Sequence, residues 1–194
     1  MSRNGVEPGR PPLRVRLADG ACPYCPAADV RLDAADLAGL ADHVRLIRAE
    51  RPDLVVECGP ADVFALGPLK AVGVAEVGIH VGSLDETVRA RCGDGAVLPL
   101  AGYERAWDEA VRVFGRFRVS TCLVVGAGEN PGELVTGAAR LIARGVQPVV
   151  VPYRPGPDAL VRWIGHAVTD MLRTVGASVT PPQPIGPTTG WGMR

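Results

Sequence analysis

Short apolar runs alternate with amphipathic stretches along most of this chain, and this alternation limits the possible folds more than any other feature. Runs with strand character lie at 13–17, 54–58, 74–81, 119–125 and 146–151. Between them, apolar residues recur three and four positions apart, which is the period of a helix. Because hairpin signals are missing, the pattern predicts parallel strands joined by right-handed crossovers. We therefore expect an α/β fold whose parallel sheet is curved or closed.

The expected helices follow the strands regularly except near the start of the chain. They lie at 32–50, 61–72, 84–91, 103–114, 133–144 and 158–175. The segment 27–53 holds one helix and, by its pattern, no strand. One strand–helix unit is therefore predicted to be missing, which would leave the first strand without a neighbour on one side. An exposed sheet edge of this kind favours a homodimer or a partner subunit.

Length and charge restrict the class of protein. A chain of 194 residues is long enough for one domain with a real core and too short for two. Basic and acidic residues both number 21, so no overall basic field favours nucleic acid or an anionic membrane. No apolar run is long enough for a membrane span or a signal-peptide core. We expect a cytoplasmic protein with a loose arm at 1–12, one domain at 13–176 and a Pro/Gly-rich tail at 177–194.

Two of the five cysteines, Cys22 and Cys25, directly follow the first strand. Thiolates at this spacing can share a metal ion or cluster, or exchange with a disulfide. The tetrapeptide that they frame, CPYC, is also the active-site sequence of glutaredoxins, which gives thiol–disulfide redox chemistry as an alternative. A thioredoxin-like fold mixes antiparallel strands, however, whereas this chain alternates strand and helix throughout. Cys92 and Cys122 are interpreted as ordinary small residues.

Functional residues of parallel sheets gather in the loops at the carboxyl ends of the strands. Here those loops hold the CxxC pair, Cys58, the segment 80–83, the segment 126–129 and Arg154. The segment 126–129 begins like a dinucleotide-binding turn, but Pro131 stands where the third glycine of that motif belongs. It is better explained as a strand-to-helix turn with Asn130 as the N-cap and Pro131 as the first helical residue. His80 is expected to be a hydrogen-bonded core residue rather than a ligand.

Four stretches together resemble the radical S-adenosylmethionine (radical SAM) superfamily and, within it, the biotin-synthase-like branch. The CPYC segment is similar to the end of the CxxxCxΦC cluster signature, with Tyr24 as the aromatic residue. The segment 78–85, GIHVGSLD, resembles a fourth-strand motif that typically reads HVESLD. The segment 124–131, VVGAGENP, resembles the fifth-strand motif GxIxGxxE, and 147–155, which ends in VVVPYRP, resembles the sixth strand. The match is continuous from Pro52 to Pro155.

The resemblance implies a partial (βα) TIM-like barrel with parallel strands and about five βα units. It implies an enzyme in which a reduced [4Fe–4S] cluster cleaves S-adenosylmethionine to a 5′-deoxyadenosyl radical, which takes hydrogen from a small-molecule substrate. Cys22 and Cys25 would be cluster ligands, and Cys58, at the end of a neighbouring strand, is the candidate for the third. The residues implied to bind S-adenosylmethionine are Ser83, Val124, Gly126, Glu129 and Arg154. The resemblance does not extend to particular catalytic residues or to a substrate.

The chain departs from the family pattern at several positions. Ala18 stands where the first cluster cysteine belongs, Gly82 replaces the acid of the fourth-strand motif, and Cys122 replaces the first glycine of the fifth-strand motif. A GGE-like segment, which would hold the methionine amino group, is missing. The resemblance is therefore to a shortened or degenerate member. It leaves as an alternative a catalytically inactive relative that acts as an accessory or binding subunit.

Overall fold

The computed structural model describes residues 13–17, 30–32, 37–52, 54–92, 98–153 and 159–177. The predicted arm at 1–12, the CxxC segment and the tail from 178 onwards lie outside these residues. The arm and the tail therefore stay predictions, and the fold below is that of the described residues.

A parallel sheet of six described strands forms the centre of the fold, in the order β2-β1-β3-β4-β5-β6. The strands are β1 (Arg14–Leu17), β2 (Val30–Leu32), β3 (Val55–Cys58), β4 (Val77–Ile79), β5 (Val119–Val125) and β6 (Val146–Pro152). Every neighbouring pair is parallel. The five predicted strands are β1 and β3–β6, and they lie side by side in chain order. The predicted partial TIM-like barrel, with parallel strands alternating with helices, is confirmed, and the described sheet is open.

The strand β2 corrects the prediction for the segment 27–53. It pairs with β1 in parallel, with Val15 opposite Val30 and Leu17 opposite Leu32. The first strand therefore has neighbours on both sides, and the prediction that it lacks one was wrong. With three residues, β2 is too short for its apolar–polar alternation to be distinguished from the start of a helix.

The helices begin and end close to the predicted positions, with one exception. They are α1 (Leu37–Glu50), α2 (Leu66–Ala71), α3 (Glu86–Cys92), α4 (Leu100–Phe114), α5 (Pro131–Arg144) and α6 (Ala159–Thr174), and a 3-10 helix (Asp62–Ala65) precedes α2. The exception is α1, which was predicted from residue 32 and begins after β2. None of the helices in the described part of the chain combines the length and the apolar character needed to cross a bilayer.

The start of α5 shows how local sequence sets the boundary of an element. Asn130 Oδ1 accepts hydrogen bonds from the backbone N–H groups of Gly132 at 2.9 Å and Glu133 at 3.3 Å. Pro131 is the first helical residue, so the cap is the one predicted from the sequence. At the other end, Gly145 stops the helix at φ +91°, a left-handed conformation that favours glycine.

Helices α1, α2, α4, α5 and α6 pack on one face of the sheet. Their buried apolar side chains form a single cluster with alternate strand residues such as Val15, Val56 and Leu123. Trp107 of α4 is 1% exposed, and its Nε1–H donates to the carbonyl oxygen of Ile79 at 2.9 Å. The buried indole therefore satisfies its one donor on the strand against which it packs. This helix side contains the hydrophobic core.

The opposite face of the sheet, called the inner face below, has a different character. Side chains alternate along a strand, so the residues between those of the core point to it. On β5 and β6 it carries a small apolar cluster of Cys122, Val124 and Val151. On β1, β3 and the end of β4 it carries charged and polar groups instead. The fold thus separates an apolar helix side from a partly ionic inner face.

Candidate functional site

The loop after β4 holds Ser83 in a defined position at the carboxyl end of the sheet. Gly82, at φ +74°, accepts a hydrogen bond from the N–H of Val124 at 2.7 Å, which ties this loop to β5. Ser83 is buried. Its Oγ accepts from the N–H of Asp85 at 3.2 Å, and its carbonyl oxygen accepts from Arg89 Nη1 at 3.0 Å. Because Oγ acts as an acceptor here, the hydroxyl keeps its donor for a ligand oxygen.

The loop after β5 is held by the carboxylate of Glu129. This carboxylate accepts hydrogen bonds from the backbone N–H of Gly126 and, at 2.9 Å, from that of Ala127. The turn requires glycine, since Gly126 and Gly128 have φ angles of +97° and +103°. Glu129 therefore fixes the shape of its own loop, and a ligand at this rim would meet a preformed turn.

Ser83 and Glu129 line the same groove, which has a volume of about 890 Å³ and lies between the rim loops and helices α4 and α5. Leu84 lines this groove and packs against Gly137, where a Cβ would come within 2.2 Å of Leu84 Cδ1. The volume falls within the range of small-molecule sites, about 300–1,000 Å³. The structure thus brings together two of the residues that were predicted to bind a cofactor.

The other predicted binding residues on β5 are not part of this groove. Val124 is 1% exposed and belongs to the apolar cluster of the inner face. Gly126 is exposed at the rim, and its N–H group is bound to Glu129. The predicted set is therefore divided between the groove and the inner face, with the β5 loop between them.

Cys58, the candidate for a third cluster ligand, points to the helix side. It is 1% exposed and belongs to the same core cluster as Val56 and Leu66. Burial first, and then the nearby carboxylates of Asp62 and Glu57, raise the pKa of its thiol. A metal ligand must be a thiolate, which this environment disfavours. The placement of Cys58 therefore does not support a role in binding a cluster.

The remaining candidates lie outside the described residues: Cys22, Cys25, Ala18 and Arg154. Within the described ranges, no group of three or more His, Cys, Asp or Glu side chains is arranged to hold a metal ion. A cluster would consequently depend on Cys22 and Cys25 together with a third ligand other than Cys58.

An ion-pair cluster on the inner face was not predicted from the sequence. Glu57 of β3 is fully buried, and both of its carboxylate oxygens bind guanidinium groups of β1. Arg14 Nη1 lies 2.8 Å from Oε1, and Arg16 Nε and Nη2 lie 3.0 Å and 2.6 Å from Oε2. Burial alone raises the pKa of Glu57, but His80 and Arg16 outweigh burial and lower the pKa to about 2. Glu57 is therefore ionised at neutral pH.

His80 completes this cluster at the end of β4. The backbone N–H of Cys122 donates to Nδ1 at 3.1 Å, so the proton of the neutral ring lies on Nε2. Nε2 is buried 3.6 Å from Glu57 Oε1 and has no hydrogen-bond partner among the described residues. Gly78 provides space for the ring, since a Cβ there would lie 2.6 Å from Nε2. His80 is thus a hydrogen-bonded buried residue, as expected, with one nitrogen turned towards a carboxylate.

The signal for this cluster is the period of two along β1 and β3. Arg14 and Arg16 alternate with core residues, and Glu57 stands between Val56 and Cys58. In a strand, that pattern sends the charged side chains to the face opposite the core. The pattern predicts the shared face, but the contact between the charges depends on the pairing of β1 with β3.

Comparison with known proteins adds information at the level of the fold. No protein family model matches the chain, and no curated protein matches its sequence. Among solved structures, coproporphyrinogen III oxidase HemN from Escherichia coli, a radical SAM enzyme, is similar with a TM-score of 0.57 at 12% identity, over 85% of this chain and 52% of HemN. The FeFe-hydrogenase maturase HydG from Carboxydothermus hydrogenoformans is similar with a TM-score of 0.57 at 14% identity, over 84% of this chain and 40% of HydG.

The coverage and identity values limit what can be inferred from this similarity. The chain spans about half the length of HemN and two fifths of the length of HydG. At such low identities the similarity concerns the fold, and it does not single out the biotin-synthase-like branch. Together with the five parallel strands that lie in chain order, it gives this chain a fold similar to those of HemN and HydG.

Proposed function

We propose that this chain is a radical SAM-type protein that binds S-adenosylmethionine at the carboxyl rim of the sheet. The observation that carries the proposal is the likeness in fold to HemN and HydG over 85% and 84% of this chain. The segments 78–85 and 124–131, which resemble motifs of the family, form the two rim loops beside the groove of about 890 Å³. The donor of Ser83 and the preformed turn held by Glu129 suit the polar parts of such a ligand.

The proposal places a small polar substrate on the inner face, near Glu57 and His80. Closed barrels fill their interior with branched apolar side chains, whereas β1, β3 and β4 of this chain present two arginines, a glutamate and a histidine. A buried ion pair costs desolvation energy and adds little to stability compared with apolar packing. Arg14 is the member of this cluster that a polar ligand could reach, because its side chain is 22% exposed whereas that of Glu57 is 1% exposed.

The described residues fit S-adenosylmethionine better than they fit a [4Fe–4S] cluster. The rim offers backbone and hydroxyl groups, but Cys58 is turned into the apolar core and its pKa is raised by burial. When a cluster and S-adenosylmethionine are bound, such proteins generate a 5′-deoxyadenosyl radical. This chain's own contribution would be to hold the nucleoside at the rim and the substrate beside Glu57.

The placement of Cys58 also favours a second candidate function, an accessory or binding subunit without radical chemistry. With Ala18 at the position of the first cluster cysteine and Cys58 in the core, only Cys22 and Cys25 remain as cysteines close to the first strand in sequence. Redox chemistry through CPYC is less well supported, because each pair of described strands is parallel and a thioredoxin-like sheet is mixed.

Anaerobic reconstitution with iron and sulfide tests the proposal. We expect the chain to take up iron with a broad visible charge-transfer absorbance, and the Cys22→Ala variant to lose both. Cys58→Ala is the matched control and should leave the iron content unchanged, because its thiol faces the helix side. Ala18→Cys should increase uptake by restoring the family spacing.

Two results of the reconstitution experiment would contradict these expectations. If neither the unmodified chain nor Ala18→Cys takes up iron, the radical SAM function is wrong and the accessory-subunit function takes its place. Equilibrium dialysis with S-adenosylmethionine then tells whether the rim still binds the nucleoside. If Cys58→Ala removes the iron, the assignment of Cys58 to the core is wrong.

A further inference from the structure

A second groove runs along the edge strand β6, and none of the predicted site residues lines it. It lies between β6 and α6 and has a volume of about 380 Å³. Its apolar walls consist of Pro148, Val149, Val150, Val161, Val168 and Leu172. This volume is large enough for a small molecule, and apolar walls with a few polar groups are typical of such sites.

Two basic side chains line the same groove from α6. Arg162 and His166 are one helical turn apart, both are exposed, and neither forms an ion pair in the described ranges. No aspartate or glutamate is among the lining residues. The groove is therefore positively charged at its helical wall, which suits an anionic group on a ligand.

Gly165 keeps the helical wall open between these two residues. A Cβ added at this position would meet no heavy atom within 4 Å, so the space beside it is empty. Glycine inside a helix costs about 0.8–1 kcal/mol relative to alanine. The glycine therefore maintains the width of the groove at a local cost to the helix.

We propose that this groove binds a small, elongated apolar molecule that carries one carboxylate group. The apolar part packs against the valines of β6 and α6, and the carboxylate lies at the wall formed by Arg162 and His166. This site is separate from the rim groove that carries the proposed function, so either can be present without the other.

Octanoate is a suitable probe, with octanol as its uncharged counterpart. We expect isothermal titration calorimetry to detect octanoate binding and to show weaker binding of octanol. Gly165→Leu should fill the groove and weaken octanoate binding at least tenfold, about 1.4 kcal/mol. Gly102→Leu is the matched control, because Gly102 also lies in a helix with no heavy atom within 4 Å of its Cβ and does not line this groove.

Arg162→Gln separates charge from shape without filling the groove. It should weaken octanoate binding and leave octanol binding unchanged, and the His166 ring signals in NMR spectra should shift on addition of octanoate. The proposal is wrong if octanoate does not bind at millimolar concentration, or if it binds Gly165→Leu as tightly as the unmodified chain. It is also wrong if sedimentation shows a dimer that Gly165→Leu dissociates, because the groove would then be an interface between two copies.

Discussion

Glu57 links the stability of the fold to pH. Its pKa is about 2 in the folded chain, compared with 4.5 for an unperturbed glutamate side chain. A carboxyl group with a lowered pKa in the folded state stabilises that state at pH values above its unfolded pKa. The stabilisation is lost as the pH falls through the folded value, so the window extends from about pH 4.5 to about pH 2. The shift corresponds to about 3 kcal/mol.

Replacing Glu57 by glutamine should remove this part of the pH dependence. In urea unfolding at a series of pH values, the free energy of unfolding of the unmodified chain should fall about 3 kcal/mol further across this window than that of Glu57→Gln. Glu109→Gln is the control, because Glu109 is exposed and pairs only with Arg112 on the same helix. Equal slopes for the unmodified chain and Glu57→Gln would contradict the prediction.

His80 and Cys58 show where inference from single residues succeeds and where it ends. His80 was expected to be a hydrogen-bonded buried residue, and the bond from the N–H of Cys122 confirms this. Cys58 was considered a ligand because it ends a strand beside the first one. The direction of a strand side chain depends on which alternate residues the helices cover, and that is a property of the assembled core rather than of the strand end.

At the scale of elements, β6 is a sheet edge protected by proline. The N–H of Tyr153 bonds to the carbonyl oxygen of Val125 on β5. In a parallel strand, alternate residues direct both backbone groups to the same neighbour, so Val146, Pro148, Val150 and Pro152 of β6 face the outer edge of the described sheet. Of these four, Val146 and Val150 can donate a hydrogen bond there, whereas the two prolines have no N–H group. The two prolines thus make the addition of another strand unfavourable.

The double substitution Pro148→Val with Pro152→Val should therefore promote association through β6. It restores two outward N–H donors on an edge that is rich in β-branched residues. Static light scattering should show dimers or larger species at concentrations at which the unmodified chain shows none. Pro131→Ala, at the start of α5, is the control for removal of a proline. Unchanged association of the double variant would show that the prolines do not protect the edge.

Asn130 offers a second prediction at this scale. Asn130→Ala removes the side-chain oxygen that accepts from Gly132 and Glu133, and we expect it to lower the free energy of unfolding by about 1 kcal/mol. Asn130→Asp retains an acceptor and should preserve most of the stability. Thermal unfolding followed by circular dichroism measures both, and a loss of equal size in both variants would argue against the cap.

The elements most accurately predicted are those with strong local signals. β5 has the predicted bounds, and the Asn130-Pro131 cap fixes the start of α5. β4 is shorter than the predicted 74–81, because Val77–Ile79 pairs with β3 and only Val77 and Gly78 pair with β5. β2 was missed because its three residues become a strand by pairing with β1. The apolar pattern of a short segment does not show which other segment it will pair with.

At the scale of the whole molecule, one apolar cluster connects both ends of the described sequence. It includes Val15 of β1 and Leu172 of α6, with residues from four further helices. Because apolar packing joins the first described strand to the last described helix, we expect the core to fold without added metal. We expect circular dichroism and tryptophan fluorescence, to which the buried Trp107 contributes, to give the same unfolding midpoint before and after treatment with a chelator. A transition that splits or shifts by several degrees after chelation would contradict this.

The end of the sheet at which candidate site residues gather was predictable from the sequence. The separation of these residues and cavities between two grooves and the inner face was not. The rule that sites gather at carboxyl ends of parallel strands led to Ser83 and Glu129, which line one groove. The inner face and the β6 groove depend on how the sheet curves and on the spacing between neighbouring helices. Those distances result from the packing of many side chains at once, and no single motif encodes them.

The contact between Gly78 and His80 restricts the order in which this face can evolve. A methyl group at position 78 would meet the ring of His80, which is buried and held by Cys122, so alanine is excluded there as long as the histidine remains. A smaller residue at position 80 removes the obstacle and meets none in return. The two positions therefore show directional epistasis. In a library selected for folding, changes at 78 should be found with a change at 80, whereas changes at 80 should also be found alone.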